Sequence, residues 1–387
     1  MGQKASSLKN KVLRRRPTRD SEPQPLPQPL PQSLPQSFPQ PFSQQPTFVS
    51  LGMFHLQEIH CPGCEVQRNV LGGAGLWATF GARLFKPGND LIDVGCIIFT
   101  RNDVPGSLDR TLESWGMALV RRSFSALPCA RAILDYRHGE RSSYFSEDLL
   151  RPAVIDLNKS ILLVSKSFHF VCPPKEIPGN ITLLQRLRAE PVTALCEKKY
   201  FKEYLDVMRY VDVFSPNHHE LVGLTVGSEK EPERFSHRFI EKQALKFIQS
   251  GIGPGRDGLI AVRCGKYGCF YMKNEQEKGW VGTFYDHRRP EVKNVTGAGS
   301  AFIGAFMVAF VESRDPRYSC FRGTVAASFA LEQYGLPKKE NNTLPRDHPD
   351  YIPGFRESWN GTDPFSRLGV LEAHSEMFYQ KEYPGGA

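Results

Sequence analysis

After Thr47, short apolar segments alternate with longer segments whose apolar residues recur at helical spacing. The short segments are rich in β-branched and aromatic residues, which favours strands, whereas a period of three to four residues favours helices. The pattern predicts strands at 48–56, 91–99, 161–171, 192–196, 211–214 and 259–262. It predicts helices at 74–85, 181–189, 235–249, 301–311 and 320–333. This alternation indicates an α/β fold in which helices cover both faces of a central, mostly parallel sheet.

Two further segments, 137–145 and 268–284, have the pattern of shorter, exposed β-strands. We expect them to form a small β lid, and we expect ligands to bind at the carboxyl ends of the parallel strands. From Gly335 onward the sequence is rich in loop-forming residues and predicts no regular element. The predicted organisation is one domain over 48–372 and a C-terminal tail over 373–387.

The segment before this domain, residues 1–47, has a different composition. Residues 22–46 repeat Pro-Gln and Pro-Leu steps, and ten of the 30 prolines precede Thr47. Sequence of this kind cannot bury a hydrophobic core. We therefore expect a disordered tail, basic at first and then rich in proline and glutamine, that folding of the domain does not require.

The positive charge of the chain is concentrated in this tail. Of a formal net charge of +8, the residues before Thr47 carry +5, because seven basic residues there are opposed only by Asp20 and Glu22. The remaining +3 is too small for the basic surface that nucleic-acid binding requires. We therefore expect no nucleic-acid partner for the folded domain.

The cysteine spacing and the N-terminal sequence indicate in which cellular compartment the protein is expected. The nine cysteines are irregularly spaced, which is typical of a reducing compartment. Gly2 and Ser6 fit the pattern for N-myristoylation, and the Arg14–Arg16 cluster would supply the second signal that stable membrane contact needs. A mitochondrial presequence and a simple solvated tail are the alternatives. We expect a cytoplasmic protein, with membrane contact through an acylated Gly2 left open and mitochondrial import favoured less.

The strongest candidate for chemistry is the segment Asn294-Val295-Thr296-Gly297-Ala298-Gly299-Ser300, which precedes a predicted helix. Small residues let the backbone turn tightly, so that the first N–H groups of the helix point outward without partners. Such a turn binds an anion such as phosphate, and the helix dipole adds to the attraction. A glycine-rich helix start with no ligand is the alternative interpretation of this segment alone.

The context of the turn favours the anion site. The turn resembles the C-terminal signature of the pfkB family of carbohydrate and nucleoside kinases, Asp-Thr-x-Gly-Ala-Gly-Asp-x-Phe. Three further segments resemble other motifs of the family and follow one another in the family's order. They are a diglycine segment at 72–75, an Asn-x-x-Glu segment at 217–220 and a Gly-x-x-Gly hairpin at 262–268. A small-residue helix from 324 to 331 resembles the one beside the adenine pocket. The resemblance covers 48–337, is greatest to the fungal maintenance-of-killer-like branch and implies a ribokinase-like fold.

The resemblance also implies roles for individual residues. ATP with Mg²⁺ would bind between the turn, the hairpin and the small-residue helix, and the second substrate would be a sugar or a nucleoside. The implied catalytic turn consists of Gly297, Ala298, Gly299 and Ser300. The residues implied in nucleotide binding are Asn217, Glu220, Arg263, Gly265, Gly268, Thr296, Thr324 and Ala327. Gln57, Gly72 and Gly73 would contact the second substrate, and Glu220 would help to hold the metal through water.

Several of these positions depart from the family pattern. Ser300 stands where the family has the aspartate that acts as catalytic base, and a serine hydroxyl is barely ionised near pH 7. Gln57 replaces an aspartate that holds substrate hydroxyls, and the usual asparagine of the diglycine signature falls near Leu76 or Trp77. Arg263 replaces a threonine, and its guanidinium could pair either with phosphate oxygens or with a neighbouring acid.

Loss of the base does not remove every contribution to catalysis. General-base catalysis contributes about 10²- to 10⁴-fold, whereas phosphoryl transfer depends mainly on positioning and charge. Two interpretations follow. In the first, the chain is a nucleotide-binding, kinase-like protein whose activity is weak or lost, a pseudokinase. In the second, it is an active ATP-dependent sugar or nucleoside kinase that uses another base, for which Glu58 is the first candidate.

Overall fold

The computed structural model gives the parallel sheet that the sequence predicts. It describes residues 45–86, 93–100, 106–123, 129–137, 142–145, 151–188, 193–196, 201–227, 232, 234–285, 289–340 and 357–382. The strands in chain order are β1 (Phe48–Leu51), β2 (His55–His60), β3 (Gln67–Gly72), β4 (Val94–Thr100), β5 (Ala118–Ser123), β6 (Arg131–Asp135), β7 (Ser142–Phe145), β8 (Ser167–Phe170), β9 (Thr193–Cys196), β10 (Val213–Phe214), β11 (Leu259–Arg263), β12 (Cys269–Met272), β13 (Lys278–Val281), β14 (Lys339–Glu340) and β15 (Ser358–Trp359).

Within these described ranges, nine strands form the central sheet, in the order β13-β12-β11-β10-β9-β8-β1-β4-β5. The strands from β11 to β5 in this order are parallel, whereas β12 and β13 are antiparallel at one edge. Alternate residues of one strand enter different cores, since Phe48 packs on one face of the sheet and Val49 and Leu51 on the other. A sheet buried on both faces explains the nearly continuous apolar runs in its strands.

Helices cover the two faces. They are α1 (Ala74–Leu84), α2 (Gly106–Ser114), α3 (Ile177–Leu187), α4 (Phe201–Met208), α5 (His218–Thr225), α6 (His237–Ser250), α7 (Ala298–Ser313), α8 (Pro316–Leu331) and α9 (Pro364–Glu382). Helices α1, α7 and α8 share a core with Phe48, whereas α3, α4 and α6 share the other core with Val49. In the part of the chain that is described, no helix is both long enough and apolar enough to cross a membrane.

Helices α1 and α7 approach so closely that only glycine fits at two of their contacts. A side-chain carbon on Gly81 would overlap the carbonyl of Ala301, and one on Gly304 would overlap the carbonyl of Ala78. This close contact fixes the beginning of α7 beside α1. The diglycine segment 72–75 leads into α1, and the glycine-rich turn 297–300 (the anion turn) leads into α7. These two segments are therefore neighbours in space.

A second, four-stranded sheet has the order β3-β2-β6-β7 and forms the predicted lid. The sequence located it only in part. Of the two segments expected to form it, 137–145 contributes β7, whereas 268–284 contributes β12 and β13, which extend the central sheet instead. All four residues of β12 are buried, because Phe270 and Met272 enter one core while Cys269 and Tyr271 enter the other.

Other predicted boundaries need correction. The expected strand 48–56 is broken at Gly52 into β1 and β2, which belong to different sheets. In 161–171 only β8 is a strand, because residues 161–164 form a short 3₁₀ turn. Helix α9 was not predicted, and it crosses the expected boundary at residue 373. Contacts also begin before residue 48, since the Thr47 hydroxyl donates a hydrogen bond to the Asp93 carboxylate over 2.6 Å.

The predicted tail lies largely outside the described residues, which begin at Gln45. This holds also for Gly2, Ser6 and the arginine cluster, so acylation, import and disorder remain predictions from the sequence. Gln45 itself donates a hydrogen bond to the carbonyl of Val164 over 2.5 Å. The folded domain therefore includes at least the last three residues of the segment that was expected to be disordered.

A buried ion pair joins α1 to the segment before β15. Arg83 Nη2 lies 2.6 Å from Glu357 Oε1, and Lys339 Nζ lies 3.1 Å from the same oxygen. The Arg83 and Glu357 side chains are only 1% and 2% exposed. Arg83 Nε also donates to the backbone carbonyls of Trp115 and Gly116. One carboxylate therefore balances two cations at the junction between α1 and the C-terminal part of the chain.

Candidate functional site

The anion turn has the backbone geometry that the sequence predicts. Gly297 has a φ of 86° and begins α7, a conformation that residues with a side chain rarely adopt. The Asn294 side-chain carbonyl accepts a hydrogen bond from the N–H of Thr296 over 2.9 Å, which holds the approach to the turn. Among the described residues, the N–H groups of Gly299 and Ser300 have no hydrogen-bond partner. They are therefore available to a ligand, at the positive end of the α7 dipole.

Arg263, at the end of β11, lies directly over this turn. A side-chain carbon on Gly299 would collide with Arg263 Nη1. The other nitrogen, Nη2, donates to the carbonyl of Ser215 over 2.8 Å and lies 3.6 Å from Glu220 Oε2. The Arg263 side chain is 14% exposed. Arg263 therefore lies beside both an acid, Glu220, and the turn itself.

Asn217 and Glu220 are brought to the same place by the start of α5. The Asn217 side chain accepts a hydrogen bond from the N–H of Glu220 over 2.8 Å, and the Glu220 carboxylate accepts one from the N–H of Asn217 over 3.0 Å. This capping box satisfies two backbone groups that the helix start would otherwise leave without partners. Asn217 is also bridged to Arg263 through the backbone. The starts of α5 and α7 therefore meet at the end of β11.

Trp77 lies on the opposite side of the turn. Its side chain is 2% exposed, and a side-chain carbon on Gly297 would collide with its indole ring. The indole Nε1–H is buried and has no hydrogen-bond partner among the described residues. Of the two residues near which the usual asparagine falls, Leu76 and Trp77, the structure brings Trp77 against the turn.

This contact predicts the effect of an alanine at Gly297. Gly297→Ala should lower the free energy of unfolding by about 1–2 kcal/mol for the left-handed backbone conformation and by about 1–3 kcal/mol more for the collision with Trp77. Gly361→Ala is the matched control, because Gly361 has a φ of 76° and no atom lies within 4 Å of its added carbon. Urea denaturation measures both. Equal losses would show that the indole does not press on the turn.

The implied substrate residues lie together at the junction of lid and sheet. Gln57 of β2 is buried, and a side-chain carbon on Gly72 would collide with its amide. The Gln57 amide also lies 3.1 Å from Nε2 of His55, an imidazole whose pKa burial lowers to about 4. Gly73 has a φ of 108° and begins α1. Gln57 is therefore in contact with its own neighbours rather than extended into open space.

Glu58, the alternative base, points elsewhere. Its carboxylate lies 2.8 Å from His60 Nε2 and 3.2 Å from Arg68 Nε. The hydrogen bond from His60 lowers the pKa of Glu58. Because side chains alternate along a strand, Glu58 and His60 project from the side of β2 opposite to Gln57. The structure therefore does not bring Glu58 to the substrate residues.

Two contacts of the site were not predicted. Tyr136, directly after β6 of the lid, donates a hydrogen bond to the Asn294 side chain over 2.7 Å and also contacts the Thr296 hydroxyl. The lid is thereby fastened to the anion turn. His169 of β8 is fully buried, and its Nδ1 lies 2.9 Å from the Ser50 hydroxyl. No motif in the sequence indicated either residue.

His169 is held neutral. Burial, with a smaller contribution from the charge of Arg263, lowers the pKa of His169 to about 3. An imidazole with so low a pKa is a weak base near pH 7. His169 is therefore poorly suited to accept a proton from a substrate hydroxyl.

The remaining implied residues line the other side of Arg263. Gly265 lies in a 3₁₀ turn between β11 and β12, and Gly268 follows it with a φ of 86°. Thr324 of α8 contacts Cys269, the first residue of β12, with 3.8 Å between oxygen and sulfur. Ala327 lies one turn further along α8 and is half-buried. The hairpin and α8 are therefore adjacent, as the resemblance implies.

The comparison with known proteins agrees with this architecture. Residues 156–341 match the pfkB family of carbohydrate kinases. An uncharacterized protein of Schizosaccharomyces pombe is 26% identical over 84% of this chain and 92% of its own length. Protein MAK32 of Saccharomyces cerevisiae is 25% identical over 86% of this chain and 93% of its own. Both resemblances that the motifs indicated, to the family and to a fungal branch within it, are confirmed.

The solved structures show the same fold. Arabidopsis thaliana ribokinase complexed with ribose and ATP superimposes with a TM-score of 0.56 and 19% identity, over 76% of this chain and 95% of that chain. A mostly parallel sheet flanked by helices, with a small second sheet, is a ribokinase-like fold. Residues 156–341 are similar to the pfkB family, and the chain has the fold of the solved ribokinase.

Proposed function

We propose that this chain binds ATP at the turn 297–300 and transfers the phosphate slowly or not at all. The observation that carries the proposal of slow transfer is the position of Trp77. Its buried ring packs against Gly297, where α1 meets the start of α7. Binding of the nucleotide and transfer of its phosphate draw on different parts of the site. The residues around the turn support nucleotide binding, and the changes at Ser300, Gln57 and Trp77 oppose rapid transfer.

Three features support nucleotide binding. The N–H groups of Gly299 and Ser300 are available at the positive end of α7. Arg263 places a permanent positive charge beside them, which suits phosphate oxygens. The hairpin and α8, beside which the resemblance implies the adenine, contact each other through Cys269 and Thr324. The related ribokinase of known structure was complexed with ATP and ribose.

Two features oppose rapid transfer. The Ser300 hydroxyl cannot replace a carboxylate as base, and that loss alone is worth about 10²- to 10⁴-fold. On the side where a sugar or nucleoside would bind, Trp77 fills space beside Gly297, and Gln57 is in contact with His55 and Gly72. A hydroxyl substrate would therefore lack both its proton acceptor and part of its binding surface.

An active kinase with another base finds less support. Glu58 is paired with His60 and Arg68 on the far side of β2. His169 is fully buried with a pKa of about 3. Each of these two groups is therefore badly placed or too weakly basic to remove a proton from a substrate hydroxyl at the turn.

A carboxylate introduced at the turn tests nucleotide binding. Gly299→Asp would place a negative charge beside Arg263, where we expect a phosphate, and should weaken ATP binding at least tenfold in equilibrium dialysis of the full chain. Gly369→Asp is the control, because Gly369 is exposed on α9 and no atom lies within 4 Å of its added carbon. Equal affinity in both variants, or no saturable binding by the unchanged protein, would contradict the proposal.

A further inference from the structure

The charge arrangement at the start of α7 is unusual for a helix without a ligand. The N-terminal end of a helix carries the equivalent of about half a positive charge, which attracts anions and repels cations. Here the guanidinium of Arg263 lies against that end, in contact with Gly299. The carboxylate of Glu220, with Oε2 3.6 Å from Arg263 Nη2, lies beside the guanidinium and offsets part of its charge. An anion between the guanidinium and the helix N–H groups would turn this repulsion into two attractions.

The indole of Trp77 provides independent support for a ligand. Its Nε1–H is buried, has no partner among the described residues and lies 2.6 Å from where a side-chain carbon of Gly297 would be. Buried N–H groups in proteins are nearly always hydrogen-bonded, so an unpartnered one indicates a missing acceptor. The turn therefore has hydrogen-bond donors on three sides: the α7 backbone, Arg263 and Trp77.

The same geometry does not fit the magnesium ion that the resemblance implied. Glu220 Oε2 accepts the N–H of Asn217 in the capping box and lies 3.6 Å from Arg263 Nη2. A divalent cation at this oxygen would face the guanidinium at close range, and like charges so near each other are strongly unfavourable. Over the described part of the chain, no group of three or more His, Cys, Asp and Glu side chains could hold a metal ion.

We propose that Arg263 supplies the positive charge that a metal ion would otherwise bring, so that the turn binds phosphate groups without a divalent cation. The guanidinium would donate to phosphate oxygens directly, together with the N–H groups of Gly299 and Ser300. The inference rests on the proposed function for the identity of the ligand as ATP. The phosphate site itself requires only a chain of phosphates, such as inorganic tripolyphosphate.

Calorimetric titration of the full chain tests the metal requirement. With EDTA present, ATP and tripolyphosphate should both bind, and saturating Mg²⁺ should change the ATP dissociation constant by less than about threefold, under 0.7 kcal/mol. Tenfold or greater tightening by Mg²⁺, or binding only in its presence, would overturn the inference while leaving nucleotide binding intact.

The two proposals fail in distinguishable ways. Binding of tripolyphosphate in EDTA without binding of ATP would support the phosphate site and overturn the proposed nucleotide function. Binding of neither ligand under any of these conditions would overturn both proposals.

Substitutions of Arg263 separate its charge from its shape. Arg263→Ala should weaken the binding of both ligands in EDTA by about 10- to 100-fold, since hydrogen bonds to charged groups are the stronger ones. Arg263→Lys keeps the charge without the planar fork and should lose less. Arg238→Ala removes one charge from an exposed position on α6 and should leave both affinities unchanged.

A further readout distinguishes this role from a structural one. In Arg263→Ala, Glu220 no longer faces a guanidinium, so Mg²⁺ should now tighten ATP binding by tenfold or more. Melting curves without ligand show whether each variant is folded. An Arg263→Ala protein that is folded and binds tripolyphosphate in EDTA as the unchanged protein does would overturn the inference.

Discussion

Glu357→Gln should lower the free energy of unfolding by about 3–5 kcal/mol, because it leaves two cations without their shared carboxylate inside the protein. Arg83 and Lys339 both contact Glu357 Oε1, at 2.6 and 3.1 Å, and the Glu357 side chain is 2% exposed. The substitution preserves shape and volume, so the loss reports charge and not a cavity. At about 2.1 cal/mol/K of unfolding entropy per residue, the melting temperature of a domain as long as 48–372 should fall by roughly 4–8 °C.

The matched control is an exposed pair of the same type. Arg121 Nη2 lies 3.1 Å from Glu113 Oε1, with side chains 39% and 61% exposed. Glu113→Gln should cost only about 0–1 kcal/mol, because water solvates both partners. Losses of equal size in the two variants, measured by urea denaturation, would show that the buried pair does not hold α1 to the C-terminal part of the domain.

Ser300→Asp should restore little phosphoryl transfer, less than about tenfold, although a base is normally worth about 10²- to 10⁴-fold. That full range corresponds to about 2.7–5.4 kcal/mol of barrier, at 1.36 kcal/mol per decade. The gain should be small because the Trp77 ring presses on Gly297 and would keep a substrate hydroxyl away from the new carboxylate. ADP release with a panel of sugars and nucleosides measures the effect.

Two variants sharpen this experiment. Ser300→Asn has the shape of aspartate without its charge, so any difference between the two reports a proton acceptor. Trp77→Asn combined with Ser300→Asp should gain more than either change alone, because contacting residues act together. A gain of 10²-fold or more from Ser300→Asp alone would mean that the substrate side of the site is intact and that a single group was lost.

The fold could be predicted because the hydrophobic pattern of each helix and strand lies within a short stretch of the sequence. Helix α1 shows a periodic apolar pattern, α7 is one long apolar segment that is buried over 301–310, and the parallel strands are short apolar segments, so their approximate positions follow from the sequence. The hairpin of β12 and β13 was misassigned to the lid because its alternation resembles an exposed strand. Its burial depends on α8 and α6, which lie far from it in sequence. Helix α9 was missed because its apolar and polar residues show little periodicity.

For the candidate site, the sequence predicted the backbone conformation of the turn but not the side chains around it. Glycines at 297 and 299 indicate a turn whatever surrounds it, and that turn is present. Contacts between side chains that are distant along the chain could not be predicted from the sequence. Whether Leu76 or Trp77 faces the turn depends on the close packing of α1 against α7. The contact between Tyr136 and Asn294 joins the lid to the segment before α7, across 158 residues of the chain.

The most direct test of a site that binds but does not transfer is the fate of the bound nucleotide. Full-length protein, in excess over ATP labelled in its γ-phosphate, would be incubated with sugars and nucleosides, and the retained nucleotide would be separated by chromatography. The account predicts that ATP is retained and recovered intact after minutes. Labelled sugar or nucleoside phosphate formed at 1–100 s⁻¹, the usual range for kinases, would contradict it, as would the failure to retain any nucleotide.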